Sequence, residues 1–257
     1  MKVKRNNLEK LIALIVEISS QPENEWFKNE LIKKLTTDLS DNNSTAINEI
    51  YEYCIQLIIK GQAERFYEDF KLETIKANLI KDFVRMEKFR RENNFEDFCL
   101  AMFQQIEGIV NALLNEEIQT YLVTQKDTVT HKVRNRETGV YEEQVLWQLI
   151  FYPLLLEDDL KKKLNKSIFE WDFAERFKTV LFIYYFNKKL YNYNEFQTIF
   201  FIGHELYQSR NLNHRGSILT IMQQKTIDKV ILNSHKYFFK FMGFLEDITT
   251  KININIK

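Results

Sequence analysis

The sequence is poor in the residues that form turns and cross-links. Only 6 glycines and 2 prolines occur in 257 residues, far fewer than a protein built from many strands needs for its turns. Its 2 cysteines, Cys54 and Cys99, are too few for a disulfide framework and lack the paired spacing of a zinc site. We therefore expect an all-α protein in a reducing compartment, the cytoplasm.

Several enzyme motifs and targeting segments are also missing. No H-E-x-x-H, C-x-x-C, G-x-x-x-x-G-K or G-x-G-x-x-G motif occurs, which disfavours zinc, nucleotide and dinucleotide enzymes, so we expect no metal and no cofactor. No apolar run reaches the roughly 18 to 20 residues of a spanning helix. The first apolar stretch, 11–16, ends at Glu17 without a cleavage site. We expect neither a signal peptide nor a membrane span.

What remains is a composition that can bury a core. The 36 basic and 36 acidic residues cancel, and 45% of the chain is hydrophobic, with 14% aromatic. Such a composition excludes a disordered chain and is typical of one large domain or two small ones.

Apolar residues recur at helical spacing along almost the whole chain. The pattern predicts a helical N-terminal extension over 1–72, followed by a helical bundle over 73–257. The bundle helices are expected at 72–92, from 95 past Glu117, at 173–190, at 194–210 and at 219–248. Between 124 and 143 the periodicity disappears, and alternating β-branched residues indicate a long loop or a small hairpin.

One polar cluster contains residues that suit phosphodiester chemistry. Arg210, Asn211 and His214 follow an apolar helix, and all three would converge on one surface if that helix continued. An imidazole can transfer the protons of a ribose 2′-hydroxyl and a leaving 5′-oxygen, while a guanidinium holds phosphate charge. A purely structural alternative is a helix C-terminus with Arg and His placed against the dipole. The other histidines, His131, His204 and His235, are more simply explained as structural or exposed.

The pattern Arg210-Asn211-x-x-His214, between two long helices of an all-α chain, resembles the signature of the HEPN superfamily. The family motif has four to six residues between Arg and His, and this sequence has three. The resemblance covers about residues 95–250. It implies a homodimer whose two motifs face each other, RNA as substrate, and a setting in bacterial defence, either abortive infection or a CRISPR-associated system.

Four further residues are candidates for RNA binding or for support of the site. Glu107 lies among apolar residues of a bundle helix and is expected to pair with Arg210, because a buried carboxylate needs a partner. Tyr207, one turn before Arg210, is a candidate for stacking on a base. Asn213 and Arg215 flank His214. In each case an exposed or core structural role is the alternative.

The sequence thus favours a metal-independent endoribonuclease that cleaves single-stranded RNA to 2′,3′-cyclic phosphate ends. Arg210 would stabilise phosphate charge, His214 would act as general acid and base, and Asn211 would position one of them. A regulatory protein partner is a further expectation. The alternatives are a catalytically inactive scaffold of HEPN fold that binds RNA or protein, and a structural oligomerisation protein with Arg210 and His214 buried in a dimer seam.

Overall fold

The computed structural model describes residues 5–19, 21–24, 26–27, 29–31, 33, 43–134, 138–151, 155–210 and 220–256. Within these residues the protein is mostly helical and contains a single two-stranded sheet, which confirms the predicted all-α class. The chain divides into two compact units, Met1–Arg65 and Phe66–Lys257. This division lies a few residues before the boundary predicted at residue 72.

The first unit contains helix α1 (Arg5–Ser19), a short 3₁₀ turn (Pro22–Asn24) and nearly all of helix α2 (Asn43–Phe66). Its apolar cluster is formed by Leu14, Phe27 and Cys54, which are buried against partly buried aliphatic side chains. The Asn24 side chain donates a hydrogen bond to the Ile18 carbonyl at 3.2 Å. This bond closes the turn after α1 and satisfies one carbonyl of its last turn.

The second unit holds the bundle. Its central helix is α4, in which eleven of 19 residues are buried, and which packs against helices before and after it in the sequence. The helices of this unit are α3 (Glu73–Arg91), α4 (Phe95–Leu113), α5 (Glu116–Gln125), α6 (Leu146–Ile150), α7 (Glu157–Leu164), α8 (Phe173–Val180), α9 (Tyr193–Ser209), α10 (Ile221–Leu232) and α11 (Ser234–Asn255).

The predicted helix from 95 past Glu117 is wrong, because it consists of two helices. α4 ends at Leu113, and Leu114 takes an extended conformation with a ψ of 137°. Asn115 then caps α5, its side-chain oxygen accepting a hydrogen bond from the Ile118 amide at 2.9 Å. Asparagine competes with the helix for backbone donors and is strongly favoured at such caps.

Two later helices also differ from the prediction. The helix predicted over 219–248 is interrupted at Asn233, whose side chain donates to the Lys229 carbonyl at 2.9 Å and so closes the last turn of α10. The helix predicted over 173–190 is regular only as far as Val180 and continues as a π-helical turn over Leu181–Tyr185. Apolar periodicity continues through both positions, so the pattern alone did not reveal these breaks.

The segment that lacks helical periodicity forms the hairpin. Strands β1 (Val129–Arg134) and β2 (Tyr141–Val145) pair antiparallel, with an irregularity between Val129 and His131. His131 is only 8% exposed and stacks on Tyr193 of α9, with ring centroids 4.2 Å apart. Its ring nitrogens contact Thr130 Oγ1 at 2.7 Å and Gln144 Oε1 at 2.9 Å. The imidazole of His131 therefore connects the hairpin to α9.

Acidification should loosen this hairpin. Burial lowers the pKa of His131 in the folded protein, whereas an unfolded histidine titrates near pH 6.5. Below about pH 6.5 the unfolded chain therefore binds more protons than the folded protein. The contribution of neutral His131 to the free energy of unfolding is fully present above that pH and decreases as the pH falls below it. Hydrogen exchange of the hairpin amides, corrected for intrinsic rates, should accelerate in the wild-type protein as the pH is lowered. His131→Phe keeps a stacking ring and should remove the effect; equal acceleration in both proteins would contradict the assignment.

Among the residues that the structure describes, no helix is both long enough and apolar enough to cross a membrane.

Candidate functional site

The candidate site begins at the C-terminal end of α9. The helix ends at Ser209, and Arg210 is its C-cap residue, with φ −60° and ψ −24° and its amide donating to the Leu206 carbonyl at 3.1 Å. The other predicted residues, Asn211, Asn213, His214 and Arg215, lie outside the described residues. Of the three predicted catalytic residues, Arg210 is therefore the one whose surroundings the structure describes.

Two aromatic rings hold the guanidinium of Arg210. Its Cζ lies 4.5 Å from the ring centroid of Phe103 and 4.1 Å from that of Tyr207. A planar cation over such rings gains about 0.5 to 2 kcal/mol, depending on how far it is desolvated. Nε is buried without a hydrogen-bond partner, and within the described part of the chain no carboxylate pairs with this arginine. The rings fix the side chain in place without neutralising its charge.

The rings belong to an aromatic cluster, defined here as Phe103, Phe173, Phe177 and Tyr207. Phe173 stacks on Tyr207, with centroids 5.2 Å apart and planes 9° apart, and on Phe177, at 5.7 Å and 7°. Phe103 meets Phe173 edge-on at 4.8 Å. Three helices, α4, α8 and α9, each contribute to the cluster, so the position of Arg210 depends on tertiary packing as well as on its own helix.

A glycine permits the close approach of α9 to this cluster. A Cβ atom on Gly203 would lie only 2.8 Å from Cζ of Phe177 and 3.1 Å from Cζ of Phe244. Carbon atoms that are not bonded prefer separations of about 3.5 to 4.0 Å. Gly203 is therefore required for space, and any side chain there must displace a ring of the aromatic cluster.

The structure gives Glu107 a different partner from the expected one. Its carboxylate lies 3.9 Å from Arg176 Nη2, and Nη1 of the same arginine donates to Asn111 Oδ1. Arg176 enters from α8 at the level of Glu107 and Asn111, whereas Arg210 lies over Phe103, one turn earlier on α4. The expectation that Glu107 orients Arg210 is therefore corrected: Glu107 and Asn111 orient Arg176.

Tyr207 also takes a more specific place than expected. Its ring stacks on Phe173 and lies under Arg210, so it supports the guanidinium. Tyr207 therefore contacts Phe173 and Arg210, and its stacking on a base stays a prediction.

His204 and Lys178 border the aromatic cluster, although the sequence pattern had not indicated a site there. Burial and the charge of Lys178 lower the pKa of His204, whose imidazole lies 3.3 Å from the Gln208 amide nitrogen. Burial also lowers the pKa of Lys178, whose Nζ lies 4.8 Å from the ring centroid of Phe200. The only signal in the sequence was the spacing of His204 and Tyr207, which places both on one face of α9.

The described residues contain no cluster of His, Cys, Asp and Glu that could hold a metal ion. No family model, curated protein or solved structure matches this chain. The chemistry of the site therefore has to be argued from its own residues. A guanidinium that is fixed by rings and has no counter-charge among the residues that the structure describes is suited to an oxyanion, because its planar fork can donate to two oxygens at once.

Proposed function

We propose that the protein is a metal-independent endoribonuclease that cleaves single-stranded RNA by 2′-hydroxyl attack, leaving 2′,3′-cyclic phosphate ends. The observation that carries the proposal is the guanidinium of Arg210, held by Phe103 and Tyr207 without a described counter-charge. His214 follows only four positions later in the sequence. The pair supplies the two groups that this reaction needs without a metal: a fixed cation and a titratable imidazole.

Each group has a defined part in the reaction. The imidazole of His214 takes the proton of the 2′-hydroxyl, the 2′-oxygen bonds to phosphorus, and the bond from phosphorus to the 5′-oxygen breaks. A proton delivered to the 5′-oxygen completes the step, and the imidazolium can supply it. Arg210 donates to the phosphate oxygens as negative charge develops on them, and Asn211 positions one of these two side chains.

The proposal extends to the assembly and its setting. Two copies of the Arg210–His214 pair would face each other in a homodimer and form one composite cleft, as in the family that the motif resembles. A ribonuclease of this kind has to be restrained in the cell, so a regulatory protein partner and a role in bacterial defence are part of the same proposal. Sedimentation of the purified protein tests the dimer directly.

Replacement of His214 tests the reaction. The wild-type protein should cut a single-stranded RNA in excess EDTA and leave cyclic phosphate ends. His214→Ala should lower the rate by about a hundredfold to ten-thousandfold, the range for loss of a general acid or base, while RNA affinity stays within about threefold because the proposal assigns phosphate binding to Arg210 and proton transfer to His214. His235→Ala removes an exposed histidine of α11 and should cleave like wild type. Metal-dependent cleavage, or equal rates in the two variants, would refute the proposal.

A second candidate is a scaffold that binds RNA or protein without cleaving it. The observation that favours it concerns His204, which borders the aromatic cluster. Its imidazole contacts Gln208 and packs beside Tyr207 with centroids 6.1 Å apart, so these contacts are structural. A scaffold predicts RNA binding that depends on Arg210, with no cleavage in wild type. The same assay, run with a binding measurement, distinguishes the two functions.

A further inference from the structure

A second arginine lies beside the candidate site on the same face of α4. Phe103, Glu107 and Asn111 are spaced four residues apart and form one stripe along this helix, called here the α4 stripe. Arg210 lies over the first of these residues, and Arg176 contacts the other two. Two guanidiniums from different helices, α8 and α9, therefore converge on neighbouring turns of α4.

The two arginines share an unusual feature. Nε is buried without a hydrogen-bond partner in each, and they are the only side-chain atoms in that state within the described residues. Leaving a buried donor unpaired costs about 1 to 3 kcal/mol, and such groups are uncommon in native proteins. Both guanidiniums are thus held by ring packing or by contacts at their ends, and neither Nε is paired within the described residues.

The spacing along the stripe sets the size of the ligand. Positions four to eight residues apart on a helix are separated by roughly 6 to 12 Å, at a rise of about 1.5 Å per residue. Arg176 donates to Asn111, eight positions from Phe103, and at the corresponding separation one phosphate group is too small to bridge two guanidiniums, whereas successive phosphates of a polynucleotide can contact one each. A mononucleotide would engage only one of the two arginines.

We propose that Arg176 is a second phosphate-binding residue, and that single-stranded RNA contacts the two guanidiniums above the α4 stripe, with one phosphate at Arg210 and a neighbouring one at Arg176. This inference rests on the proposed function and deepens it, because it adds a second phosphate contact for the RNA substrate. Phosphate contacts of this kind position the strand without reading its sequence.

Glu107 acts as the counter-charge that the strand displaces. Its distance of 3.9 Å from Arg176 Nη2 is at the outer limit of an ion pair, and its side chain is 34% exposed. A loose, partly solvated pair contributes little stability, so an incoming phosphate can replace it at Arg176. The carboxylate also repels the strand, and its removal should therefore strengthen binding.

The first test measures the gain in RNA affinity expected when the Glu107 carboxylate is removed. Glu107→Gln should increase affinity for a fluorescein-labelled single-stranded RNA with methylated 2′-hydroxyls by about threefold to tenfold at low salt, as expected for removal of one like charge near a phosphate. Glu116→Gln neutralises an exposed carboxylate of α5 that is not part of the stripe and should change the affinity much less. Unchanged or weaker binding in Glu107→Gln, or an equal gain in both variants, would overturn the proposal.

The second test measures the salt dependence of the same binding. For single-stranded nucleic acid, each neutralised phosphate contributes about 0.7 to the slope of log affinity against log salt. Arg176→Gln should reduce that slope by about this amount, and Arg176→Lys should retain most of it. Arg85→Gln is the matched control, since Arg85 also contacts α4, through Gln104 Oε1 at 3.1 Å, but lies away from the aromatic cluster.

The outcomes separate the two proposals. If the RNA binds with a slope that depends on Arg176 while wild type cleaves nothing, the two-phosphate site stands and the nuclease proposal fails. If wild type cleaves through Arg210 and His214 but Arg176→Gln, folded by circular dichroism, keeps the wild-type slope, the nuclease stands and the second phosphate contact is wrong. Absence of any RNA binding by wild type overturns both.

Discussion

Arg210→Lys should lower the rate of RNA cleavage by about a hundredfold to a thousandfold, the usual cost of removing one group that stabilises transition-state charge. The substitution keeps the positive charge, so electrostatic attraction of the RNA should change little. A lysine, however, lacks the planar fork that donates to two phosphate oxygens and cannot stack flat between Phe103 and Tyr207. Single-turnover cleavage at saturating protein, beside the binding constant, measures the two effects separately.

Two variants of Tyr207 provide the control for that result. Tyr207→Phe keeps the ring under the guanidinium and should cleave within about threefold of wild type, because both residues present an aromatic face of comparable strength. Tyr207→Leu removes the face and should lose about tenfold or more, since a misplaced catalytic group reacts much more slowly. If Arg210→Lys cleaves like wild type, or if the two Tyr207 variants behave alike, ring positioning of the guanidinium is not what the site requires.

The helices that could be predicted well are those whose periodicity and end signals agree. α3 and α4 begin within one residue of the predicted positions, and for α4 the start is marked by Asn94, which accepts a hydrogen bond from the Asp97 amide at 3.3 Å. The breaks at Leu114 and Asn233 could not be predicted from periodicity, because apolar spacing continues on both sides of them. Local side-chain competition for backbone hydrogen bonds decided these positions, and that competition depends on packing.

The candidate site could be predicted only in part, for a related reason. Arg210 stands out in the sequence because it begins a polar cluster after an apolar helix. Its supports do not, because Phe103 and Phe173 belong to helices distant in sequence and resemble ordinary core residues. Arg176 was missed for the same reason, and Glu107 was assigned to the wrong arginine. The sequence marks candidate residues for the chemistry, whereas only the crossing of α4, α8 and α9 determines which side chains meet.

Gly203→Ala should destabilise the protein by about 1 to 3 kcal/mol, the usual cost of overpacking a core. The added methyl would lie 2.8 Å from Phe177 Cζ, and Phe177 is a core side chain that is only 1% exposed. Because Phe177 stacks on Phe173, and Phe173 on Tyr207, the displacement should reach the ring under Arg210. We therefore expect cleavage to fall along with the free energy of unfolding measured in urea.

A second substitution tests whether the clash with Phe177 is the cause. Phe177→Leu alone removes ring atoms from the core and should cost about 1 to 3 kcal/mol, within the range for large-to-small changes. In the double variant the leucine leaves room for the new methyl, so the combined loss should be smaller than the sum of the two by about 1 kcal/mol or more, the coupling expected of residues in contact. Gly243→Ala is the matched control, because a Cβ there meets no atom within 4 Å and alanine is the better helix former, by about 0.5 to 1 kcal/mol. Additive losses, or equal destabilisation by Gly243→Ala, would show that Gly203 does not act through the aromatic cluster.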